Sequence, residues 1–231
     1  MSWLEAHAAA WDAQYSAGRY AGDPPEPFVA EILTAAGRLG LSRGLYVGCG
    51  NGRNILHLID EGLDLRGIDI SPEAIRQLKA ARPELSDRFS WGEIDSLAPA
   101  ESFQIVIGIQ VFMFGTREQA HHHLDEAKRR VEPGGVLCLR ANAVGTDVWP
   151  AHLLSESHDD GSFTVVYESG PKVGLSVHFF SRAELEDVFS DWEPVFGPDV
   201  DSRLRNAGPG QWSQFEAIWR RSHPRNMGEG L

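Results

Sequence analysis

Residues Leu45 to Asn54 read Leu-Tyr-Val-Gly-Cys-Gly-Asn-Gly-Arg-Asn, a short apolar run that ends in glycines at three alternate positions, Gly48, Gly50 and Gly52. Glycine at these positions lets the backbone turn tightly and approach a ligand closely. A helix beginning just beyond them aims its unpaired N–H groups at polar ligand atoms. The pattern predicts a nucleotide cradle, and its spacing narrows the guest. Dinucleotide loops run G-x-G-x-x-G, and phosphate loops end in Lys-Ser/Thr. Here the spacing is G-x-G-x-G with Arg53 and Asn54 behind it, so neither NAD nor ATP is the natural guest. Asp69 follows Gly50 by about twenty residues, the offset at which a strand-end carboxylate meets ribose hydroxyls in nucleotide-binding βαβ units. One carboxylate accepts from two hydroxyls at once. The competing role for Asp69 is local, capping the turn that leads into Ser71.

These residues need a framework, and the chain supplies strand-helix alternation. Arg53 to Glu61 places Ile55, Leu56, Leu58 and Ile59 on one side of a short helix that Gly62 stops. Leu65 to Ile70 is a strand. Ser71-Pro72-Glu73 then opens a helix with Ser as N-cap and Pro at the first helical position, and Pro83 ends it. Phe89 to Trp91 is a short strand, and Phe103 to Ile109 is an unbroken apolar run of the kind buried on both faces of a parallel sheet. Arg117 to Val131 is helical, and Glu132-Pro133-Gly134-Gly135 separates it from the strand Val136 to Ala141. Such alternation predicts a doubly wound sheet with right-handed crossovers. Phe163 to Glu168 and Val173 to Phe179 flank Ser169-Gly170-Pro171-Lys172 as an added hairpin. Ser181 and Glu184 form a capping box, and the stretches around Val195 and Trp212 to Trp219 supply a closing antiparallel pair. The tail after Arg221 is expected to be disordered.

The glycine loop, the acidic strand end, the Pro-Gly-Gly break and the element order together resemble the class I S-adenosylmethionine-dependent methyltransferases. The resemblance is close over Leu45 to Ala141 and looser beyond. It implies a Rossmann-like α/β fold: a seven-stranded, mostly parallel sheet with an antiparallel closing strand, here with an inserted hairpin. One domain is expected over 1–231, with an N-terminal cover (1–40), a cofactor-binding core (41–141), a substrate-side insertion (142–180) and a closing helix with strands (181–220). The implied cofactor is S-adenosyl-L-methionine, the product S-adenosyl-L-homocysteine. One letter departs from the family loop: Tyr46 occupies the position of an acidic residue that usually supports the methionine end.

Carried over position by position, the resemblance implies cofactor contacts from Gly48, Cys49, Gly50 and Asn54 in the loop, and from Asp69 with Ile70 at the second strand end. Glu93, followed by Ile94, matches the acid that accepts from the adenine amino group, with Asp95 as its competitor. Ile109 and Gln110 stand where the family touches the methionine end. Ahead of the sheet, Trp11, Tyr15, Arg19 and Tyr20 fall where relatives fold a helix over the cofactor, and Arg19 could pair with the methionine carboxylate. Trp11 and Tyr15 lie four apart on that helix, which equally suits an apolar docking face.

The formal net charge of -12 over 231 residues and a pI near 5.1 oppose a dedicated nucleic-acid binder. Asp23-Pro24-Pro25-Glu26 is superficially similar to the motif of DNA amino-methyltransferases, but Glu26 replaces the stacking aromatic and no strand precedes it. The prolines more simply stiffen the approach to a helix starting near Phe28. Two cysteines, Cys49 and Cys138, make no disulfide framework, and a reducing cytoplasm fits. No membrane span or leader is expected. The sequence carries no signal for oligomeric state.

Methyl transfer from a sulfonium is an in-line displacement that chiefly needs alignment and dehydration. A base is required only where the acceptor must lose a proton. The acceptor is expected to be a small molecule with an O or N nucleophile, met by residues Asn142 to Phe180. Asp147, just past a strand end, and His178, in the hairpin, are the candidate catalytic residues. His121-His122-His123 point in different directions on a helix and are not expected to hold a metal. The rival function, from a different class, is a non-catalytic S-adenosylmethionine-binding or regulatory protein, for which Tyr46 is the motivating departure.

Overall fold

The computed structural model describes residues 3–206 and 208–223. Seven strands form the main sheet: β1 (Arg43–Val47), β2 (Asp64–Asp69), β3 (Phe89–Trp91), β4 (Phe103–Ile109), β5 (Val131–Asn142), β9 (Trp192–Leu204) and β10 (Gln211–Arg221). Their order is β3-β2-β1-β4-β5-β10-β9. Neighbours from β3 to β5 are parallel, and β10 runs antiparallel to both β5 and β9. The remaining three strands, β6 (His152–Ser157), β7 (Phe163–Tyr167) and β8 (Ser176–Phe179), make a separate antiparallel sheet. The helices are α1 (Trp3–Ser16), α2 (Phe28–Leu39), α3 (Ile55–Asp60), α4 (Pro72–Ala81), α5 (Arg117–Arg129) and α6 (Arg182–Val188).

Strand alternation assigns the two faces. Leu45 and Val47 pack with Leu137, Leu139, α5 and α6 in one apolar cluster, while Tyr46, Ile105 and Ile107 pack with α2, α3 and α4 in the other. The sheet is covered on both sides, as a doubly wound fold requires.

Local chemistry fixes the helix starts. The Ser71 hydroxyl accepts from Ala74 N at 3.0 Å with Pro72 at the first helical position, and Ser181 with Glu184 forms a complete capping box. Two expectations need correcting. Gly134 and Gly135 do not break the chain before a strand. β5 runs through them from Val131, with an irregular register against β4 absorbing the kink. The expected hairpin is real as β7 and β8, but β6 joins it as a third strand. β6 is exposed along most of its length and carries no inside-outside alternation. The tail expected to be disordered lies, from residue 224 onward, outside the described residues.

The added sheet is fastened to the main domain through β8. His178 N donates to Met113 O at 2.8 Å, Gly115 N to Ser176 O at 2.9 Å and Phe180 N to Asn142 O at 2.9 Å. This docking brings the β7–β8 turn to the carboxyl end of the parallel strands, where open α/β sheets bind ligands.

Candidate active site

A cleft opens at those strand ends, floored by the glycine loop. Gly48, Gly50 and Gly52 have φ of 67°, 55° and 107°, a region that side chains with a Cβ rarely adopt. At Gly50 a Cβ would lie 2.5 Å from the Tyr15 hydroxyl, so close approach as well as backbone angle demands glycine. Asp69 ties the loop to the second strand. Its Oδ2 accepts from Gly50 N at 2.7 Å and its Oδ1 from Ser71 N at 2.8 Å. Each oxygen thereby keeps acceptor capacity, and the side chain lines the cleft. The local and ligand roles that competed for Asp69 are therefore compatible. Burial pushes the Asp69 carboxyl up to about 6, against the lowering effect of the Ser71 and Gly50 amides and with a small upward contribution from Asp12.

All thirteen positions expected to touch the cofactor line this cleft: Gly48, Cys49, Gly50 and Asn54; Asp69 and Ile70; Glu93 and Ile94; Ile109 and Gln110; Tyr15, Arg19 and Tyr20. Asp95, the competitor of Glu93, lines it too. Gln110 holds a left-handed backbone at φ 59°, as does Tyr20 at 62°. Such strain in non-glycine residues persists only where surrounding contacts enforce it.

α1 forms the cover. The Asp12 carboxylate accepts from the Ser71 hydroxyl and from Glu73 N, Gln77 Nε2 donates to Tyr15 O at 3.0 Å, and Asn51 Nδ2 donates to Arg19 O at 3.1 Å. Tyr15, near the end of α1, is buried and faces the cleft. Burial, with Asp69 and Tyr20 nearby, pushes its phenol well above the ordinary value, so it stays a neutral donor.

Asn54 contributes less directly than its loop position implies. Its Nδ2 donates to the Tyr46 hydroxyl at 3.0 Å, and its Oδ1 accepts from Glu26 N at 2.9 Å. Tyr46 faces the α2 side of the sheet, away from the cleft, and its hydroxyl props the loop through Asn54. The departure from the family motif thus falls on a residue that supports the loop from behind.

The two candidate catalytic residues lie elsewhere. His178 is fully buried between Thr164 Oγ1, 2.9 Å from Nδ1, and Glu184 Oε1, 3.0 Å from Nε2. Burial alone would raise the Glu184 carboxyl, but His121, His178 and Arg117 together hold it well below the usual carboxylate range. This network fastens the added sheet to α5 and α6 and leaves His178 no path to a substrate. Asp147 is also structural: its Oδ2 accepts from Gln211 N at 2.9 Å. Neither residue lines the cleft.

The three histidines diverge. His121 meets Glu184, His122 meets Asp95, and His123 turns into the cleft. Burial lowers His123 to about 4, so its imidazole is neutral at physiological pH. His7, Trp11, Phe114 and Lys172 also line the cleft, in addition to the positions expected to touch the cofactor. Of these the sequence had singled out only Trp11.

Residues 45–135 match the family model described as a methyltransferase domain. That segment is a methyltransferase domain. Over 165 residues it is 26% identical to a probable S-adenosyl-L-methionine-dependent methyltransferase, TehB, of Haemophilus influenzae, which covers 71% of this chain and 50% of that protein. Over 151 residues it is 28% identical to hemagglutinin 1 of Eikenella corrodens, covering 64% and 43%. The chain thus spans about half or less of the length of these relatives. Among solved structures, the 1,6-didemethyltoxoflavin-N1-methyltransferase of Burkholderia thailandensis, with its acceptor and S-adenosylhomocysteine bound, superposes with a TM-score of 0.63. That match has 14% identity and covers 96% of this chain and 92% of the other. At that identity the likeness shows the fold alone. Among the described residues no helix is long and apolar enough to cross a membrane.

Proposed function

We propose that this protein transfers a methyl group from S-adenosylmethionine to an O or N nucleophile of a small molecule. The observation that carries the reading is the convergence of Asp69, Glu93, the glycine loop and the α1 cover on one cleft that continues past them to further side chains. The residues fit the cofactor. Asp69 retains acceptor capacity for ribose hydroxyls, Glu93 stands at the next strand's end for the adenine amino group, and Arg19 is available to the methionine carboxylate.

When bound, S-adenosylmethionine supplies a methyl carbon on a sulfonium: the acceptor's lone pair forms the new bond as the carbon–sulfur bond breaks, the pair goes to sulfur, and the acceptor's proton leaves to water. The chain's own residues orient and dehydrate the pair. Tyr15, Trp11 and Phe114 form an apolar cover against water, and Asp69 with the loop amides fixes the nucleoside end. A cleft so covered suits a small acceptor better than a polymer, and the net charge of -12 opposes nucleic acid.

Incubation with S-adenosylmethionine and pools of small hydroxyl- and amine-bearing acceptors should yield S-adenosylhomocysteine together with a product heavier by one methylene, read by mass spectrometry. Tight cofactor binding without turnover on any pool would instead favour the regulatory alternative. The pH dependence provides a further expectation. Ribose hydroxyls donate to ionised Asp69, whose folded-state carboxyl sits at about 6. S-adenosylhomocysteine affinity should therefore be flat above pH 7 and fall about tenfold between pH 7 and pH 5. Titration calorimetry at three pH values checks this, and affinity that rises on acidification would contradict the Asp69 role.

A further inference from the structure

Beyond the nucleoside positions the cleft has an aromatic wall with a single ammonium set into it. The rings of Trp11 and Phe114 meet edge to face, their centroids 5.6 Å apart, and His7 packs on Phe114 at 6.1 Å. Lys172, in the turn between β7 and β8, places its Nζ 5.4 Å from the Phe114 centroid and 5.8 Å from that of Tyr167. The turn is tied to α1 and closed by its own backbone. Gln14 Nε2 of α1 donates to Pro171 O at 3.0 Å, and Leu175 N donates to Lys172 O at 2.9 Å.

Lys172 has no carboxylate partner among the described residues, although acids outnumber bases in this chain, 33 against 21. Burial, with a smaller contribution from the cations Arg19 and Arg205, pushes its ammonium down to about 8. A half-enclosed lysine is normally paired, because desolvating an ammonium is costly. An anion entering the cleft would supply the missing partner. Arg19 approaches the same cleft from the glycine-loop side. Its carbonyl accepts from Asn51 of the glycine loop and its guanidinium donates to the Tyr20 hydroxyl at 3.3 Å. The cleft therefore offers two cations, Arg19 held by the loop and available to the methionine carboxylate, and Lys172 set among the rings of the wall.

We propose that Lys172 anchors the methyl acceptor, and that the acceptor is a planar aromatic carboxylate whose ring packs on Trp11 and Phe114 while its carboxylate pairs with the Lys172 ammonium. This inference rests on the methyltransferase reading and names the substrate class for the same cleft. Lys172 is a specificity residue here, while the methylated oxygen or nitrogen is another substituent of the ring.

The test uses the full chain saturated with S-adenosylhomocysteine. 4-Hydroxybenzoate, 2-aminobenzoate and indole-3-acetate are titrated in parallel with their neutral carboxamides. At least one carboxylate should bind about tenfold or more tightly than its carboxamide, the difference that one charge-assisted hydrogen bond supplies. Lys172→Gln should remove that preference, whereas Lys172→Arg should keep most of it. Equal binding of acid and amide, no binding of any of the three acids, or an unaltered preference in Lys172→Gln would each overturn the proposal. S-adenosylhomocysteine uptake is measured first on every variant. Its loss from a variant alone would make Lys172 part of the cofactor site and overturn the proposal. Its absence from the unaltered protein would bring down the methyltransferase reading itself.

Discussion

Asp69→Ala should weaken S-adenosylhomocysteine binding by about 100- to 10,000-fold. Two hydroxyl donors to a buried carboxylate contribute roughly 1.5–3 kcal/mol each, and about 1.4 kcal/mol corresponds to a factor of ten. The effect on folding should be much smaller, because two contributions oppose each other. Burial raises the Asp69 carboxyl from 3.8 to about 6, so the folded chain holds this proton more tightly than the unfolded one. The resulting stability is full below the unfolded value and lost as pH rises through about 6. At pH 7 the ionised group costs about 3 kcal/mol. Alanine removes that cost but leaves Gly50 N and Ser71 N without their acceptor, at roughly 1–3 kcal/mol each. The unfolding midpoint, followed by circular dichroism, should move by a few degrees while calorimetric affinity collapses. A variant that binds as tightly as the parent would remove Asp69 from the ribose contact. A cofactor-binding group that is costly in the empty protein is a common trade between stability and function.

Gly50→Ala should cost about 100-fold in the same affinity, through geometry instead of charge. At φ 55° a Cβ is strained by about 1–2 kcal/mol, and it would also lie 2.5 Å from the Tyr15 hydroxyl. Tyr15 cannot swing aside freely, because its ring is buried beside Trp11. The collision therefore passes to α1, the cover itself. Gly40→Ala is the matched control. Its φ is 66°, similar to that of Gly50, but nothing lies within 4 Å of the added carbon, and it caps α2 away from the cleft. That change should lower stability by a similar strain and leave binding intact. Equal binding loss in both variants would mean that strain alone, without the Tyr15 contact, governs the loop.

The sequence was legible where short-range chemistry decides. Phe103 to Ile109 is buried on both faces and became β4 with its expected ends, and the Ser71 and Ser181 caps depend on residues within three positions. The cleft-lining positions were readable because loop, strand end and helix start are local features in a fixed order. Tyr46 carried an unread signal. Strand alternation puts it on the opposite face from Leu45 and Val47, and Val47 is the one lining the cleft.

The acceptor side was harder to read, since it is built from distant segments. His178 looked like a base, but its surroundings depend on Thr164 and Glu184 arriving from different elements. Lys172 looked like an ordinary turn residue. Only the docking of β8 against Met113 to Gly115 swings that turn back over α1. His123 stood in a polar run on α5, and nothing local distinguishes it from the two neighbours that point elsewhere. β6 lacked alternation because most of its residues are exposed.

The most direct measurement is calorimetric titration of the unaltered chain with S-adenosylhomocysteine at pH 7.5, with NAD in parallel. Saturable one-to-one binding of S-adenosylhomocysteine, with none of NAD, is the expected result. Heat from NAD alone, or from neither ligand, would contradict the assignment of the glycine loop, Asp69 and Glu93 to a methionine-nucleoside site.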